Sequence, residues 1–208
     1  MSTPPVKRIG RPADEAKHAA IVEAASHAFF DVGYAAATIE GIAAEAGVSK
    51  VTVYNHFGDK RALFIAAVEQ ECGAMRSHFA IDPAGCGSIR DRLRAIGTAM
   101  VAFLSREEMV QFDRRIAAET ERDPEIGLVF LENGPRRMKQ LFAAMLQVAV
   151  GRGELAIGDT DLATEQFVSM CKGMGDLERR FGAPRDAELD RRRIDGAVEV
   201  FLRAYAVD

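Results

Sequence analysis

The sequence has little that could cross-link the chain or hold a metal. It contains three cysteines in 208 residues, at positions 72, 86 and 171, and no Cys-x-x-Cys pair. An odd number of widely spaced cysteines indicates neither a disulfide framework nor a zinc site, and free thiols suit a reducing compartment. None of the four histidines has another histidine four residues further along. We therefore expect no metal and no other cofactor.

Long apolar runs are also missing. No stretch of 18 apolar residues occurs, and the first 17 residues lack the apolar core of a secretory signal peptide. The sequence therefore predicts a cytoplasmic protein without a membrane-spanning segment.

The motifs of common catalytic and nucleotide-binding sites do not occur. There is no Gly-x4-Gly-Lys-Ser/Thr loop, no Gly-x-Gly-x-x-Gly and no Gly-x-Ser-x-Gly. Glu119, Glu121 and Asp123 are close in sequence but have the pattern of a solvated helix end. Cys171 falls on an apolar helix face, where burial makes a thiol inert. We expect no enzymatic activity.

The charge distribution points to a small DNA-binding surface. The net charge of −4 argues against a protein that coats nucleic acid. Cations are nevertheless concentrated in two segments. Residues 1–12 hold three cations and no acid, and residues 47–61 hold three cations against one acid. Local positive charge in an acidic chain predicts a DNA-binding part beside a separate domain.

Apolar periodicity and turn residues predict an all-α protein. The stripe from Ile21 to Val32 is typical of an amphipathic helix, and Gly33 ends it. Pro135 suits the first turn of a later helix. No hairpin signal flanked by alternating apolar residues occurs. The predicted helices cover residues 14–32, 39–46, 50–56, 59–78, 88–104, 107–121, 124–133, 135–151, 161–181 and 187–206.

A helix-turn-helix pattern occupies residues 38–57, which read TIEGIAAEAGVSKVTVYNHF. Thr38 and Ser49 are suited to cap two short helices, and Gly47 ends the first of them. The small residues Ala43 and Gly47 let the two helices cross closely. Apolar side chains of both can pack against the preceding helix, which leaves the third helix of the group on the outside.

A helical wheel divides that third helix into three sides. Val53 and Phe57 fall on the core side. The side chains predicted to face the floor of the major groove are Val51, Thr52 and Asn55. Those predicted to lie on the flanks, near phosphates, are Lys50, Tyr54 and His56. Amide and hydroxyl groups can bond base edges and valine can touch a thymine methyl, whereas cations and phenols suit phosphate oxygens.

These residues resemble the TetR family of bacterial transcriptional repressors. The resemblance runs over about residues 14–63. The matching residues are Thr38, Ile42, Ala43, Ala46, Gly47, Val48, Ser49, Thr52, Tyr54, His56, Phe57, Lys60 and Leu63. It implies operator contacts from Thr38, Lys50, Thr52, Tyr54, Asn55, His56 and Lys60. Thr38 and Lys60 begin the second and fourth helices, whose N-termini attract phosphate. Val51 departs from the family, which often carries glycine, proline or alanine there.

The resemblance also concerns the N-terminal arm and the domain layout. Gly10-Arg11-Pro12 is similar to the basic arm of many members, so Arg8 and Arg11 could enter a minor groove; a solvated tail is an equal alternative. We expect a flexible basic arm over 1–12 and a helix-turn-helix DNA-binding domain over 13–60. A linking helix would run to about residue 80. A larger helical ligand-binding and dimerisation domain would cover 81–208, similar to the C-terminal type of AcrR-like regulators.

Family members hold a ligand and dimerise through this larger domain. The apolar residues predicted to line a ligand pocket are Met100, Phe103, Phe112, Ile116, Met138, Phe142, Met145, Phe167, Met170 and Met174. The residues predicted to form a dimer interface are Phe167, Met174, Phe181, Ile194, Val198, Phe201, Leu202 and Tyr205. For both sets the alternative is ordinary packing inside one protomer.

The sequence thus predicts a homodimeric, ligand-released repressor that binds a palindromic operator in double-stranded DNA. The ligand would be a small apolar molecule, and the half-sites would lie about 34–36 Å apart or a multiple of that. One alternative is a ligand-independent regulator or an activator. Another is a small-molecule-binding protein whose helix-turn-helix is vestigial.

Overall fold

A computed structural model describes the backbone of residues 11–79 and 87–207. This part of the chain is helical apart from turns, short connections and one isolated bridge between Leu155 and Ala206. The predicted all-α fold is therefore confirmed. The chain forms two compact units, Met1–Gln70 and Glu71–Asp208. They divide within the fourth helix, earlier than the predicted boundary at about 81.

The first unit contains three helices and the start of a fourth. Their bounds are α1 Arg11–Val32, α2 Ile39–Glu45, α3 Lys50–Phe57 and α4 Lys60–Phe79. The predicted helices begin and end close to these bounds because the caps are local. Thr38 Oγ1 accepts from the Gly41 N–H at 3.1 Å, and Ser49 Oγ accepts from the Thr52 N–H at 3.1 Å. Gly47 has φ of 66°, a conformation that side chains disfavour, so a glycine suits the turn.

The helices of the first unit enclose a small aromatic and aliphatic core. Phe29 of α1, Ile42 of α2 and Val53 of α3 are buried with Phe64 of α4. The Phe29 and Phe64 rings meet edge to face with centroids 5.3 Å apart. Burial of these side chains fixes the orientation of α3 and therefore decides which of its faces is exposed.

The N-terminal arm was predicted to end at residue 12, but α1 already begins at Arg11. Proline is favoured in the first turn of a helix, so Pro12 is compatible with this earlier start. Arg8 lies outside the described residues, as does most of the arm. The side chain of Arg11 also lies outside them.

The second unit contains six further helices after the end of α4. Their bounds are α5 Ile89–Leu104, α6 Glu107–Thr120, α7 Pro124–Leu131, α8 Arg137–Gly151, α9 Thr160–Arg180 and α10 Ala187–Tyr205. One core cluster joins α5, α8, α9 and α10. Gly97 of α5 lies where these helices approach closely, because a Cβ there would be 3.0 Å from Cγ2 of Ile194. Small side chains thus allow α5 and α10 to pack against each other.

Two backbone irregularities differ from the predicted helix pattern. Pro135 does not begin a helix; it lies in a π-helical segment, Glu132–Arg136, that joins α7 to α8 without a turn. A wider turn tolerates proline, which has no N–H for an α-helical bond. Gly173 has φ of 49° and ψ of −146° and kinks α9.

Among the helices of the described residues, none has the length and apolar character that a membrane span requires.

Candidate nucleic-acid interface

The outer face of α3 is formed by side chains that the core leaves free. Val53 is buried, which turns Val51 and Asn55 outward. The side chain of Val51 is 66% exposed, although an aliphatic side chain has no reason to face water for stability. Thr52 is half-buried, and its Oγ1 lies 2.8 Å from Ser49 Oγ. The structure thus places the three residues predicted to face the groove on the outward part of α3.

Lys50 begins α3 and is held by an acid that the sequence analysis missed. Its ammonium group forms an ion pair with Glu40 of α2 and lies 5.7 Å from the centroid of the exposed Tyr54 ring. The hydrogen bond between the two charged groups raises the pKa of Lys50 and lowers that of Glu40. The sequence could have suggested this ion pair, because it places Glu40 and Lys50 in the first turns of the two helices of the helix-turn-helix.

Lys60 lies at the start of α4 and contacts the connection between α1 and α2. Its Nζ donates to the Ala35 carbonyl at 3.2 Å and lies 4.6 Å from the centroid of the Tyr34 ring. Thr38, which caps α2, is exposed in the same unit. Both residues are therefore at helix N-termini, as predicted, and Lys60 also stabilises the connection before α2.

His56 does not occupy the expected flank position. Its side chain is 13% exposed, and Nε2 lies 3.3 Å from Oδ1 of Asp14 on α1. Its ring centroid is 5.9 Å from that of His18, also on α1. The reason is helical phase: His56 follows the buried Val53 by three residues and so falls beside it on the wheel. His56 packs against α1 and is not directed outward.

The residues of the predicted ligand pocket divide into four groups. Four of its residues are buried in the core of the second unit: Met100, Phe142, Met145 and Phe167. Three are partly buried against that core: Phe103, Met138 and Met170. Phe112 and Ile116 are buried on α6, where the Phe112 ring meets Phe130 at a centroid distance of 5.5 Å. Met174 is exposed and cannot line a pocket inside one protomer, because it follows the kink at Gly173.

Five of the eight residues predicted for the dimer interface belong to the protomer's own core. The buried ones are Phe167, Ile194, Val198, Phe201 and Leu202. Tyr205 is half-buried and donates its hydroxyl to Oε1 of Gln166 at 2.9 Å. Met174 and Phe181 are exposed, and so is Leu177, which lies between them. Their spacing of three and four residues makes one apolar face on α9, hereafter the α9 outer face.

Neither metal-binding nor thiol chemistry has support in the described part of the chain. It contains no group of three His, Cys, Asp or Glu residues able to hold a metal ion. Cys171 is fully buried, and this burial raises the pKa of its thiol to about 12. The thiol is therefore protonated and unreactive at neutral pH.

A buried three-helix core, a tight turn and an outward α3 define a helix-turn-helix DNA-binding regulator, here followed by a larger helical unit. Two family profiles match. Residues 21–67 match bacterial regulatory proteins of the tetR family, and residues 91–207 match the C-terminal domain of AefR-like transcriptional repressors. The chain therefore belongs to the TetR family and is a DNA-binding transcriptional regulator. Its C-terminal type is AefR-like, whereas the sequence analysis had pointed to AcrR-like regulators.

Solved structures and curated relatives agree with this assignment. A TetR-family regulator from Mesorhizobium loti is 31% identical, with a TM-score of 0.78 over 93% of this chain and 98% of that one. The Flavonoid-responsive Regulator FrrA is 28% identical, with a TM-score of 0.73 over 92% and 98%. The transcriptional activator FasR of Mycolicibacterium smegmatis is 34% identical over 96 residues, which are 46% of this chain and 43% of FasR.

Proposed function

We propose that this protein is a dimeric repressor that binds a palindromic operator and leaves it when a small molecule binds the second unit. The observation that carries the proposal is the outer face of α3, where an exposed valine stands beside an exposed amide and a hydroxyl. The exposed valine and amide have little value for folding. All three groups suit the edges of base pairs in a major groove.

We assign base contacts to Val51, Thr52 and Asn55. Asparagine can bond adenine with both amide atoms, and valine can contact a thymine methyl group. We assign phosphate contacts to Thr38, Lys50 and Lys60, which lie at helix N-termini, and to the exposed phenol of Tyr54 on α3. Such contacts set the position of a protein on DNA without reading sequence. His56 is left out because its ring packs against α1.

The proposal also includes the domain boundaries of the protein, the compartment in which it acts and its lack of catalytic activity. Residues 13–60 would bind DNA, the linking helix would run to about 80, and residues 81–208 would bind ligand and dimerise. The proposal includes action in the cytoplasm, where operator DNA is reached, and no catalytic activity. Ligand and DNA would oppose each other equally at equilibrium, and a coupling of roughly 1–3 kcal/mol corresponds to about 5–150-fold release.

Ligand response is supported by a relative and by the chemistry of the second unit. The printed name of FrrA describes a flavonoid-responsive regulator, and it is similar over nearly the whole chain. The core of the second unit is rich in Met and Phe, side chains that adapt to apolar guests. We propose a small molecule with an apolar body as the effector.

Activation is a second candidate function, supported by the match to FasR, whose printed name is that of a transcriptional activator. The interface with DNA would be the same in both cases. The outcome would depend on where the operator lies relative to the promoter, so a reporter assay with the selected operator placed in either position separates the two functions.

Selection from random double-stranded DNA tests the proposal most directly. We expect an enriched palindrome with half-sites about 34–36 Å apart or a multiple of that. The matched control is a Thr52→Ala/Asn55→Ala variant, which retains the buried Val53 and the caps and should enrich no motif or a weaker one. Selection of unrelated sequences by the wild-type protein would contradict the proposal, as would a motif without two-fold symmetry.

A further inference from the structure

A buried arginine in the last turn of α9 has an unused hydrogen-bonding edge. The side chain of Arg179 is 6% exposed, and its Nη1 lies 3.3 Å from Oδ1 of Asp190 on α10. Its Nε and Nη2 atoms are buried and have no hydrogen-bond partner within the described part of the chain. In a planar guanidinium these two atoms share one edge and donate in parallel. That edge is the geometry that carboxylates bind with two oxygens.

The surroundings of Arg179 carry an excess of positive charge. The buried carboxylate of Asp190 is shared with Nε of Arg185 at 3.1 Å and Nη1 of Arg193 at 3.5 Å. Arg193 also reaches Oε2 of Glu178 at 3.3 Å. Three guanidinium groups therefore share two carboxylates, and Arg114 of α6 brings a fourth to the same end of α9, so positive charge is in excess there. Burial of the unpartnered Nε and Nη2 donors of Arg179 is unfavourable, so the cluster is suited to an additional anion.

The backbone around the cluster makes room for these arginines. Gly175 lies one turn before Arg179, and a Cβ at that position would collide with Nη1 of Arg193 and lie 3.0 Å from Nη1 of Arg179. Arg114 of α6 donates to the carbonyls of Arg179 and Arg180, each at 2.7 Å. These bonds hold the end of α9 against α6. The unused edge of Arg179 is thus set in a position defined by α6, α9 and α10.

Both parts of α9, before and after the kink at Gly173, carry buried residues. Phe167, Cys171, Gly175 and Arg179 follow one another at intervals of four residues and are all buried. Beyond the kink at Gly173, the buried Gly175 and Arg179 lie on the side of α9 away from the α9 outer face.

We propose that the Nε–Nη2 edge of Arg179 binds the carboxylate of a small organic acid, and that this acid is the effector. The inference rests on the proposed function, since it names the chemical class of the ligand. A planar carboxylate offers two oxygens to the two parallel donors of this edge. The connection between α9 and α10, residues 181–186, is exposed and begins two residues after Arg179.

The test observes the Arg179 Nε–H directly in the full-length protein without DNA. Arginine Nε–H signals are recorded by NMR while octanoate or benzoate is added. Octanamide and benzamide serve as neutral probes of the same shape, and inorganic phosphate is a separate arm. The Nε–H signal that disappears in Arg179→Lys is the signal of Arg179. This variant also retains a cation for Asp190 while removing the two-donor edge. Arg185→Lys is the matched control, because Arg185 also pairs with Asp190 but is 42% exposed.

We expect the Arg179 signal to shift saturably with a carboxylate and not with the amides or with phosphate. Arg179→Lys should weaken carboxylate binding by roughly tenfold or more, whereas Arg185→Lys should change it by less than about twofold. No shift with either acid at tens of millimolar would overturn the proposal, and so would an equal shift with phosphate. If Arg179→Lys fails to fold, loss of the signal in Arg179→Gln identifies it, and the comparison of acid with amide is then read in the wild-type protein.

DNA affinity, read by fluorescence anisotropy on the selected operator, separates this inference from the proposed function. A shift at Arg179 without loss of DNA affinity would establish the carboxylate site and contradict its role as effector. Release of DNA by a neutral ligand, with no response to either acid at Arg179, would overturn the carboxylate site and leave ligand release intact.

Discussion

Asn55 is the side chain of α3 best able to distinguish one base pair from another. It is exposed, and its amide offers a donor and an acceptor side by side. We expect Asn55→Ala to remove the preference at one position of each half-site, because a good two-bond contact discriminates by about 1–3 kcal/mol. Tyr54→Phe, the control, should weaken binding to all sequences alike. A selected motif unchanged by Asn55→Ala would contradict this assignment.

Glu40 competes with DNA for the ammonium group of Lys50. The two side chains form an exposed ion pair, and the carboxylate adds negative charge where a phosphate would approach. Glu40→Gln should therefore raise operator affinity and steepen its salt dependence by roughly one unit per half-site, measured by anisotropy across a salt series. The gain should disappear in Glu40→Gln/Lys50→Gln. If it persists, the effect of Glu40 is general repulsion and not the pairing of Lys50.

His27 connects α1 to α2 in a pH-dependent way. Its Nδ1 lies 2.8 Å from Oε1 of Glu45, and this hydrogen bond raises the pKa of His27 above 6.5. A raised pKa in the folded state stabilises the protein at pH values below 6.5. This stabilisation is lost as the pH rises through the higher folded value. His27 is 63% exposed, so the effect is small, on the order of 0.3 kcal/mol.

The His27 effect is measured as a difference between pH values. The free energy of unfolding of wild type minus that of His27→Gln should be larger at pH 5.5 than at pH 8.5. Glu45→Gln should show the same loss of pH dependence, since it removes the other half of the pair. A difference that is equal at both pH values would mean that the hydrogen bond does not depend on a charged His27.

At the level of the helix, α3 depends on its cap. Ser49 Oγ accepts from the Thr52 N–H, and replacing an N-cap serine by alanine typically costs about 1 kcal/mol. Ser49→Ala should lower the free energy of unfolding by that amount in urea denaturation. Ser49→Asp retains an acceptor and should recover the stability while weakening DNA binding through its charge. If Ser49→Asp does not recover the stability, loss of the N-cap hydrogen bond is not the cause of the destabilisation in Ser49→Ala.

The ends of most helices could be predicted because their signals are local. Thr38, Ser49 and Gly47 act within three or four residues of chain, and the structure shows each of them at its expected place. Pro135 was misread because proline suits a helix start as well as a π-helical turn. The choice depends on packing between α7 and α8, which no local pattern encodes.

Helix faces were harder to predict than helix ends. Periodicity identifies an apolar stripe but not what covers it, and the α10 stripe of Ile194 and Phe201 closes the protomer core. The kink at Gly173 also changes the phase of α9, so residues before and after it do not share one wheel. The face of α3 that carries His56 was likewise not predicted, because its ring contacts Asp14 and His18 of α1.

For the whole molecule, the proposed mechanism needs two copies of α3 at a fixed separation. One α3 covers only a few base pairs, whereas two linked half-sites gain affinity because the second contact is made within one complex. The face that links the copies must be apolar and exposed in a single protomer. The α9 outer face, formed by Met174, Leu177 and Phe181, meets both conditions.

Phe181 is the strongest test of that face, because its side chain is 84% exposed. Burial of an aromatic ring in an interface is strongly favourable, and a carboxylate at its place would have to be desolvated. Phe181→Asp and Leu177→Asp should therefore be monomers by light scattering at micromolar concentration. Their affinity for the full palindrome should fall by roughly 10²-fold or more, toward that of a half-site.

Leu128→Asp is the matched control for these two variants. Leu128 is also exposed but lies on α7, so its substitution introduces the same charge away from the α9 outer face. This variant should remain dimeric and bind the palindrome as the wild type does. Dimers in the Phe181→Asp and Leu177→Asp proteins would place the interface elsewhere. If all three variants were monomers, a charge on any exposed apolar patch would be enough to prevent dimerisation. The assignment of the interface to the α9 outer face would then be contradicted.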